Sequence, residues 1–276
     1  MKSAVTVLLN NSAQWQEADL VCHHLEALGF TLDTDGATAA LSSPGPITAA
    51  PIKLELQNLT YEYSDQAGEY NFTLGPINLV MQSGELIFFT GGNGSGKTTL
   101  IKLLTGLYTA QAGSISCNGK PVSPQEMEAY QQLFSVIFAD VYLFDQLLGL
   151  DALDEQAQHY LDKLQLQHKV TIHEGTLSTT NLSYGQRKRL ALLTAYLEDR
   201  PVYIFDEWAS GQDPEFREIF YRQLLPELKQ QGKLVIVISH NDHYYAVADR
   251  VIAMDLGQIK SDRCHCQQEH TLIGAR

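Results

Sequence analysis

A glycine-rich stretch, GGNGSGKTT, occupies residues 91–99 directly after the apolar run LIFF. Within it Gly91, Gly96, Lys97 and Thr98 fit the spacing GxxxxGKS/T between a strand-like and a helix-like segment. Ordered glycine costs backbone entropy, so the cluster indicates either a flexible linker or a backbone that approaches a ligand closely. In a phosphate-binding loop the backbone N–H groups face phosphate, the lysine neutralises phosphate oxygens and the threonine hydroxyl binds Mg²⁺. The flanking strand and helix favour this second interpretation. The predicted ligand contacts of this phosphate loop are Gly91, Gly92, Asn93, Gly94, Ser95, Gly96, Lys97, Thr98 and Thr99.

Two adjacent carboxylates, Asp206 and Glu207, follow the apolar run VYIF later in the chain. At the C-terminal edge of a strand, one carboxylate can hold the Mg²⁺ shell while the next polarises an attacking water. The alternative is a simple turn or helix cap, which an isolated pair would favour. Because a phosphate loop precedes it, we predict that Asp206 joins Thr98 at the metal and that Glu207 is catalytic.

A third segment, LSYGQRKRLAL, covers residues 182–192 and is called the signature segment below. Ser183 and Gln186 have capping-box spacing, which predicts a helix whose N-terminal N–H groups and positive dipole end are available. Taken alone, the segment indicates only a well-capped helix.

The chain divides into two parts by composition. Residues 12–30 place apolar side chains on one helical face, and residues 31–51 are rich in Ser, Pro, Gly and Ala, as linkers are. We therefore predict a boundary near residue 50, with an N-terminal helix and linker over residues 1–50 and one large domain over residues 51–276.

Strand and helix patterns alternate in the larger part. The runs PVYIFDE and KLVIVISH are typical of buried parallel strands, and helices are predicted over residues 215–228 and 242–248. The sequence pattern predicts that residues 123–200 are mainly helical. The alternation predicts an α/β fold with a mostly parallel core sheet.

Composition narrows the function classes. The net charge is −13, with 32 acidic against 19 basic residues, which argues against nucleic acid as the main partner. Four cysteines form no disulfide framework. A CxC pair at Cys264 and Cys266, beside histidines, lacks the spacing of a metal site. No stretch reaches the roughly 18 apolar residues of a membrane helix.

Together the three segments, which follow one another along the chain as phosphate loop, signature segment and carboxylate pair, resemble the nucleotide-binding domain of ATP-binding cassette (ABC) transporters, from about Ile52 to Lys260. The resemblance implies a P-loop NTPase core, an antiparallel β subdomain and a helical subdomain at about residues 123–200. It implies ATP and Mg²⁺ as cofactors. It also implies a head-to-tail homodimer in which each signature helix faces the ATP of its partner.

Further site residues follow from the resemblance. Tyr63 falls where the family stacks an aromatic ring on adenine, although a tyrosine in a strand needs no such role. Asp213 falls in the loop after the catalytic glutamate, and His240 matches a histidine that contacts the γ-phosphate. The signature residues implied to contact nucleotide are Ser183, Gly185 and Gln186.

The sequence departs from the family pattern at three positions. Ala139 replaces the usual glutamine, which removes a Mg²⁺ ligand and a sensor of the membrane domain; Asp140 is a weak substitute. Tyr184 replaces a glycine of the signature, and Trp208 replaces a proline after the catalytic glutamate.

The string FDEWASGQDPEFR more narrowly resembles bacterial exporters of cyclic peptides and siderophores. That branch carries a membrane domain ahead of the ATPase, and the predicted helix over residues 12–30 resembles the cytoplasmic end of the last membrane helix. The chain is then expected to be either a truncated half of such a protein or a separately encoded subunit. The resemblance implies a membrane-spanning partner and a location at the cytoplasmic face of the bacterial inner membrane. A coupling helix of that partner would contact the groove beside residues 139–150, although ordinary core packing explains the apolar residues of this stretch equally well. The alternatives are a soluble ABC ATPase, which predicts coiled-coil insertions or a second cassette, and a nucleotide-binding regulator without useful hydrolysis.

Overall fold

The structure is a computed structural model, and it describes residues 51–64, 71–147 and 154–264. These residues lie in a compact unit of Ile47–Arg276. The predicted N-terminal helix and linker, and the histidines and cysteine after Cys264, lie outside the described residues. The domain boundary near residue 50 stays a prediction.

The strands in the described residues form three sheets. Their bounds are β1 Lys53–Ser64, β2 Asn71–Gln82, β3 Leu86–Thr90, β4 Ala112–Cys117, β5 Lys120–Pro121, β6 Phe134–Ile137, β7 Ile172–His173, β8 Thr176–Leu177, β9 Val202–Asp206, β10 Leu234–Ile238, β11 Arg250–Asp255 and β12 Gln258–Cys264. The central sheet has the order β12-β11-β3-β10-β9-β6, in which only β12 pairs antiparallel. An antiparallel sheet has the order β2-β1-β4-β5, and β7 pairs with β8.

The helices lie between these strands. Their bounds are α1 Lys97–Leu104, α2 Met127–Gln131, α3 Asp154–Lys163, α4 Tyr184–Glu198, α5 Pro214–Ile219 and α6 Leu225–Gln230. A π-helical turn, Phe220–Leu224, joins α5 to α6, and 3₁₀ turns form at Pro124–Glu126 and Asp242–Val247. The π turn precedes Pro226, whose missing N–H and ring oppose a regular α-helix at that point.

The central strands are buried on both faces. Leu86 and Phe88 of β3 belong to one apolar core, whereas Ile87 and Phe89 belong to another. Because helices or the second sheet cover each face, the strand reads as a continuous apolar run rather than an alternating one.

The register of the parallel strands brings their carboxyl ends together. Ile238 of β10 pairs with Phe89 of β3 on one side and with Asp206 of β9 on the other. The loops that follow these strands therefore start side by side at one edge of the sheet. This alignment builds the site described below.

The predicted α/β class, with its parallel core and antiparallel second sheet, is confirmed. The expectation that residues 123–200 are mainly helical is wrong at Phe134–Ile137, which forms β6 at the edge of the central sheet. Short apolar runs do not distinguish a strand from a buried helix by periodicity, and here pairing with β9 decides. The helix expected at 242–248 is a 3₁₀ turn.

Candidate nucleotide site

The phosphate loop turns sharply between β3 and α1. Gly91 has φ +143°, and a Cβ there would lie 2.1 Å from the carbonyl oxygen of Met254. Gly96 has φ +98°, and a Cβ would lie 2.7 Å from the Leu74 side chain. Both glycines are therefore required by close packing and by left-handed backbone.

Lys97 opens α1 and is buried, although its role is to carry charge. Its Nζ donates to the carbonyl oxygens of Gly91 and Gly92, both at 2.9 Å, and to Ser95 Oγ at 3.2 Å. Burial lowers the pKa of this ammonium, and the nearby carboxylate of Glu207 partly opposes that shift. The Lys97 ammonium is thus bonded to carbonyl oxygens of its own loop, and a bound phosphate would compete with these carbonyls for it.

Thr98 and Asp206 meet at the predicted metal position. The Thr98 hydroxyl donates to Asp206 Oδ2 at 2.9 Å, and the carboxylate is only 3% exposed. Burial raises the pKa of Asp206, while the bond from Thr98 lowers it. A hydroxyl and a carboxylate oxygen are donors that suit Mg²⁺, which completes its shell with phosphate oxygens and water. Within the described ranges, no three His, Cys, Asp or Glu side chains cluster as a metal site.

Glu207 adopts an unusual backbone conformation directly after β9. Its φ is +49°, and its N–H donates to the carbonyl of Ile238 at 3.1 Å. A left-handed conformation costs a residue with a side chain roughly 1–2 kcal/mol. The bend turns the carboxylate toward His240, whose Nε2 lies 3.0 Å from Glu207 Oε1. Both side chains stay about two-fifths exposed, at 41% and 43%, so water reaches them.

A cavity of about 750 Å³ is lined by the phosphate loop and by two aromatic side chains, Tyr63 and Phe72. Its lining residues are Tyr63, Phe72, Asn93, Gly94, Ser95, Gly96, Lys97, Thr98, Thr99 and Glu207. The volume is that of a small-molecule site. Glu207 also lines a neighbouring cavity of about 440 Å³, together with His240.

Tyr63, which lines the cavity, belongs to a cluster of three tyrosines with Tyr61 and Tyr108. Tyr63 is 37% exposed, and its hydroxyl donates to the Tyr108 hydroxyl at 2.7 Å. Tyr61 stacks on Tyr108 with ring centroids 5.3 Å apart and contacts Tyr63 edge-on at 5.2 Å. Burial, with the Tyr108 bond next, raises the pKa of Tyr63. A fixed, half-exposed ring beside a phosphate loop is suited to stacking on a base.

The signature helix α4 begins as its sequence indicates. Ser183 Oγ accepts from the N–H of Gln186 at 3.3 Å, and Gln186 Oε1 accepts from the N–H of Ser183 at 3.2 Å. A Cβ on Gly185 would lie 2.8 Å from the carbonyl oxygen of Gly211, so the helix start packs on the loop after Glu207. The predicted capping box is confirmed.

Asp213 has its carboxylate occupied within the chain. Oδ1 accepts from the N–H of Phe216 at 2.8 Å, and Oδ2 pairs with the buried guanidinium of Arg189. The Phe216 N–H, and after it the Arg189 charge, hold the pKa of Asp213 below its usual range. Arg189 also lies over the Phe216 ring, 3.6 Å from its centroid.

The structure brings some predicted site residues together and separates others. The loop residues 93–99, Tyr63 and Glu207 share the larger cavity, Asp206 contacts Thr98, and His240 contacts Glu207. Gly91 and Gly92 meet Lys97 through their carbonyls. The lining of the larger cavity does not include Ser183, Gly185, Gln186 or Asp213.

Lys188 is a site residue that the sequence interpretation missed. It is fully buried, and its Nζ donates to the carbonyls of Glu207 at 2.9 Å and Ser210 at 3.2 Å. Its own carbonyl accepts from the indole N–H of Trp208 at 3.0 Å. A lysine among the polar residues QRKR carries no sign of burial. Tyr108, whose hydroxyl accepts a hydrogen bond from Tyr63, was also missed. It follows α1 at the end of an apolar helix pattern, where a tyrosine reads as part of the core.

The parallel sheet, the phosphate loop at its carboxyl edge and the strand-end Asp206–Glu207 pair define a P-loop ATPase of the ATP-binding cassette class. Residues 74–210 match the family described as ABC transporter. The ATP-binding protein SyrD of Pseudomonas syringae pv. syringae is 40% identical over 268 residues, which cover 94% of this chain and 47% of that protein. The chain belongs to the ABC transporter family, as the motifs indicated.

Solved structures agree on the fold. A bacterial Atm1-family ABC exporter with ATP bound aligns with a TM-score of 0.65 at 17% identity, over 79% of this chain and 40% of that one. The dimeric post-hydrolysis state of an ATP-binding cassette bound to ADP and Pi aligns with a TM-score of 0.64 at 20% identity, over 76% of this chain and 98% of that one.

The chain spans less than half the length of these curated relatives. Among the described helices, none has the length and apolar composition needed to cross a bilayer.

Proposed function

We propose that this chain binds and hydrolyses Mg²⁺-ATP to power transmembrane export, as the ATPase part of an ABC exporter. The observation that carries the proposal is the joint placement of Glu207, His240 and the phosphate loop at aligned strand ends. Glu207 lines the same cavity as residues 93–99 of the phosphate loop.

Each side chain has a distinct part in the proposed reaction. Lys97 exchanges its loop carbonyls for β- and γ-phosphate oxygens. Thr98 and Asp206 hold Mg²⁺, which neutralises phosphate charge when bound. Glu207 orients and polarises the attacking water, and His240 fixes the carboxylate and contacts the γ-phosphate. Tyr63 stacks on the adenine ring.

In this proposal the signature helix acts on a second copy of the chain. Asp213 stays a predicted nucleotide contact in the loop after Glu207, although its carboxylate is held within its own chain by the Phe216 N–H and Arg189. Ser183 at the start of α4 is exposed, and the lining of the chain's own cavity does not include Ser183, Gly185 or Gln186. The positive end of the helix dipole is therefore available to a partner's nucleotide. The dimeric cassette among the solved structures supports this arrangement. An ATP held between the phosphate loop of one copy and the helix end of the other would join the two copies, and hydrolysis would release them.

Glu207→Gln tests the ATPase proposal. The variant keeps the shape of the side chain but removes the anionic base, so turnover should fall at least 100-fold while ATP binding is retained. Glu128→Gln, an exposed site on α2, is the matched control and should keep full turnover. We expect ATP to convert Glu207→Gln into a dimer in sedimentation velocity. Equal turnover by wild type and Glu207→Gln would refute the proposed base.

The dimer has its own test. Turnover per chain should rise with protein concentration and then level off, because only the paired form completes the site. A rate per chain that is independent of concentration, from a chain that sediments as a monomer, would rule out the shared site.

The exporter assignment concerns the whole protein. Export of a peptide or siderophore, the cytoplasmic face of a bacterial inner membrane as location, and a membrane-spanning domain or subunit as partner are supported by the motif resemblance. The ABC exporter among the solved structures supports the same assignment. Affinity capture from native membranes should recover an integral membrane protein, either fused to this chain or bound to it. Capture of a soluble DNA-repair or translation complex instead would favour the alternative of a soluble ABC ATPase.

A further inference from the structure

Tyr184 connects the signature helix to the post-β6 segment, residues 138–147. It is the first residue of α4, and its hydroxyl donates to the carbonyl oxygen of Ala139 at 2.8 Å. The side chain is partly open to solvent, with 42% of its area exposed. Two of the positions at which the sequence departs from the family pattern therefore contact each other.

The Tyr184 ring also contacts the catalytic loop, residues 207–213, which begins with Glu207 directly after β9. A Cβ on Gly211 would lie 2.7 and 2.9 Å from two carbon atoms of the ring, so this glycine makes room for it. The Lys188 ammonium lies 4.7 Å from the ring centroid and donates to the Glu207 carbonyl. One side chain thus contacts the post-β6 segment at its tip and the catalytic loop at its face.

The post-β6 segment, residues 138–147, is held at its other end by a separate pair of bonds. Leu147 N–H donates to the Gly175 carbonyl at 2.7 Å, and Leu177 N–H donates to the Asp145 carbonyl at 2.8 Å. Between the two anchors Tyr142 is 81% exposed and Phe144 is 66% exposed.

We propose that Tyr184 is a positioning residue that couples the post-β6 segment to the catalytic loop. Through this coupling, ATP bound at the nucleotide site changes the fraction of molecules in which the segment is open. A rigid ring in contact with Gly211 transmits a shift of the catalytic loop, and the hydroxyl bond passes it to Ala139. The inference rests on the proposed function, since it requires ATP to bind beside Glu207.

Limited proteolysis with chymotrypsin measures how often the post-β6 segment opens, because the protease cleaves after aromatic residues and Tyr142 and Phe144 are exposed there. Cleavage of a transiently opened segment follows the population of the open form. Tyr184→Phe keeps the ring and removes one hydrogen bond, so cleavage within residues 138–147 should accelerate about two- to tenfold. Tyr244→Phe is the matched control, because it removes a hydroxyl bond to Glu218 of similar length, 2.7 Å, and should leave this cleavage unchanged.

The coupling is tested by adding Mg²⁺-ATP in a Glu207→Gln background, with bound ATP measured by equilibrium dialysis. ATP should change the cleavage rate at least twofold when Tyr184 is present, and the ratio should approach one in Tyr184→Phe. A ratio that persists in Tyr184→Phe with ATP bound overturns the coupling, even if basal cleavage is faster, because the hydroxyl is then only structural. Bound ATP that leaves cleavage unchanged in the Tyr184 protein overturns it as well. If ATP does not bind, the proposed function fails instead. In that case the rate of cleavage without ATP still tests the hydrogen bond from Tyr184 to Ala139, and an unchanged rate in Tyr184→Phe shows that this bond does not hold the segment closed.

Discussion

Replacement of Lys188 by methionine tests whether a buried ammonium holds the catalytic loop. The lysine is fully buried in α4 and donates to the carbonyls of Glu207 and Ser210. Methionine has a similar length and apolar volume, so it fills the space but leaves both carbonyl oxygens without this donor.

The magnitude follows from these contacts. Each buried acceptor that loses its partner costs about 1–3 kcal/mol, and loss of the cation over the Tyr184 ring adds up to about 2 kcal/mol. Removal of a desolvated charge returns part of this sum. We therefore expect Lys188→Met to lower the free energy of unfolding by about 2–4 kcal/mol.

The assay combines urea unfolding with steady-state ATP turnover. A loop displaced by about 1 Å would lower turnover on the order of 100-fold, whereas ATP binding at the phosphate loop should persist. Arg187→Met is the matched control, because it makes a similar change at an exposed neighbouring position and should alter the free energy of unfolding by about 0.5 kcal/mol or less. A Lys188→Met protein that unfolds within 1 kcal/mol of wild type and turns over at the wild-type rate would refute this account of the loop.

Two further predictions concern the phosphate loop and an ion pair. Gly91→Ala should lower the free energy of unfolding by about 2–4 kcal/mol, because the added Cβ would lie 2.1 Å from a carbonyl oxygen and φ is +143°. Gly92→Ala, where a Cβ would meet nothing within 4 Å, should be near neutral in the same urea titration. Equal effects of the two substitutions would contradict the packing argument. Asp213→Asn keeps a good helix cap but leaves the buried Arg189 without its carboxylate. Because the Asp213 side chain is 54% exposed, solvent screening limits the cost to about 0.5–1 kcal/mol at pH 7. Since the native pKa of Asp213 is depressed, its contribution is present above the ordinary aspartate pKa of about 3.9 and disappears as pH falls through the native value. The two unfolding curves should therefore converge below about pH 4, and a gap that stays constant to pH 3 would exclude the carboxylate charge as its cause.

The sequence was most informative where chemistry is encoded locally. The phosphate loop, the strand-end pair Asp206–Glu207 and the capping box at Ser183 are set by residues a few positions apart. Their local structures were therefore predictable, because the glycine conformations, the apolar strand and the helix cap each depend on short-range geometry.

The remaining features depend on contacts between distant segments. Lys188 reads as one more surface cation in a polar helix, and only the fold shows that it faces two carbonyls of another loop. Tyr184 reads as an exposed departure from a glycine, yet it bonds to Ala139, 45 positions earlier. β6 was missed because its pairing with β9, rather than its own pattern, makes it a strand. Neither charge nor periodicity along the chain indicates which distant backbone a side chain will meet.

The left-handed backbone at Glu207 has a consequence for how this protein can evolve. Glycine or asparagine would adopt φ +49° at lower cost, so each would relax the turn after β9. A sequence selected for stability alone would drift toward those residues and lose the carboxylate. Selection for turnover opposes that drift, and the protein tolerates a less favourable conformation at the position where its proposed chemistry takes place.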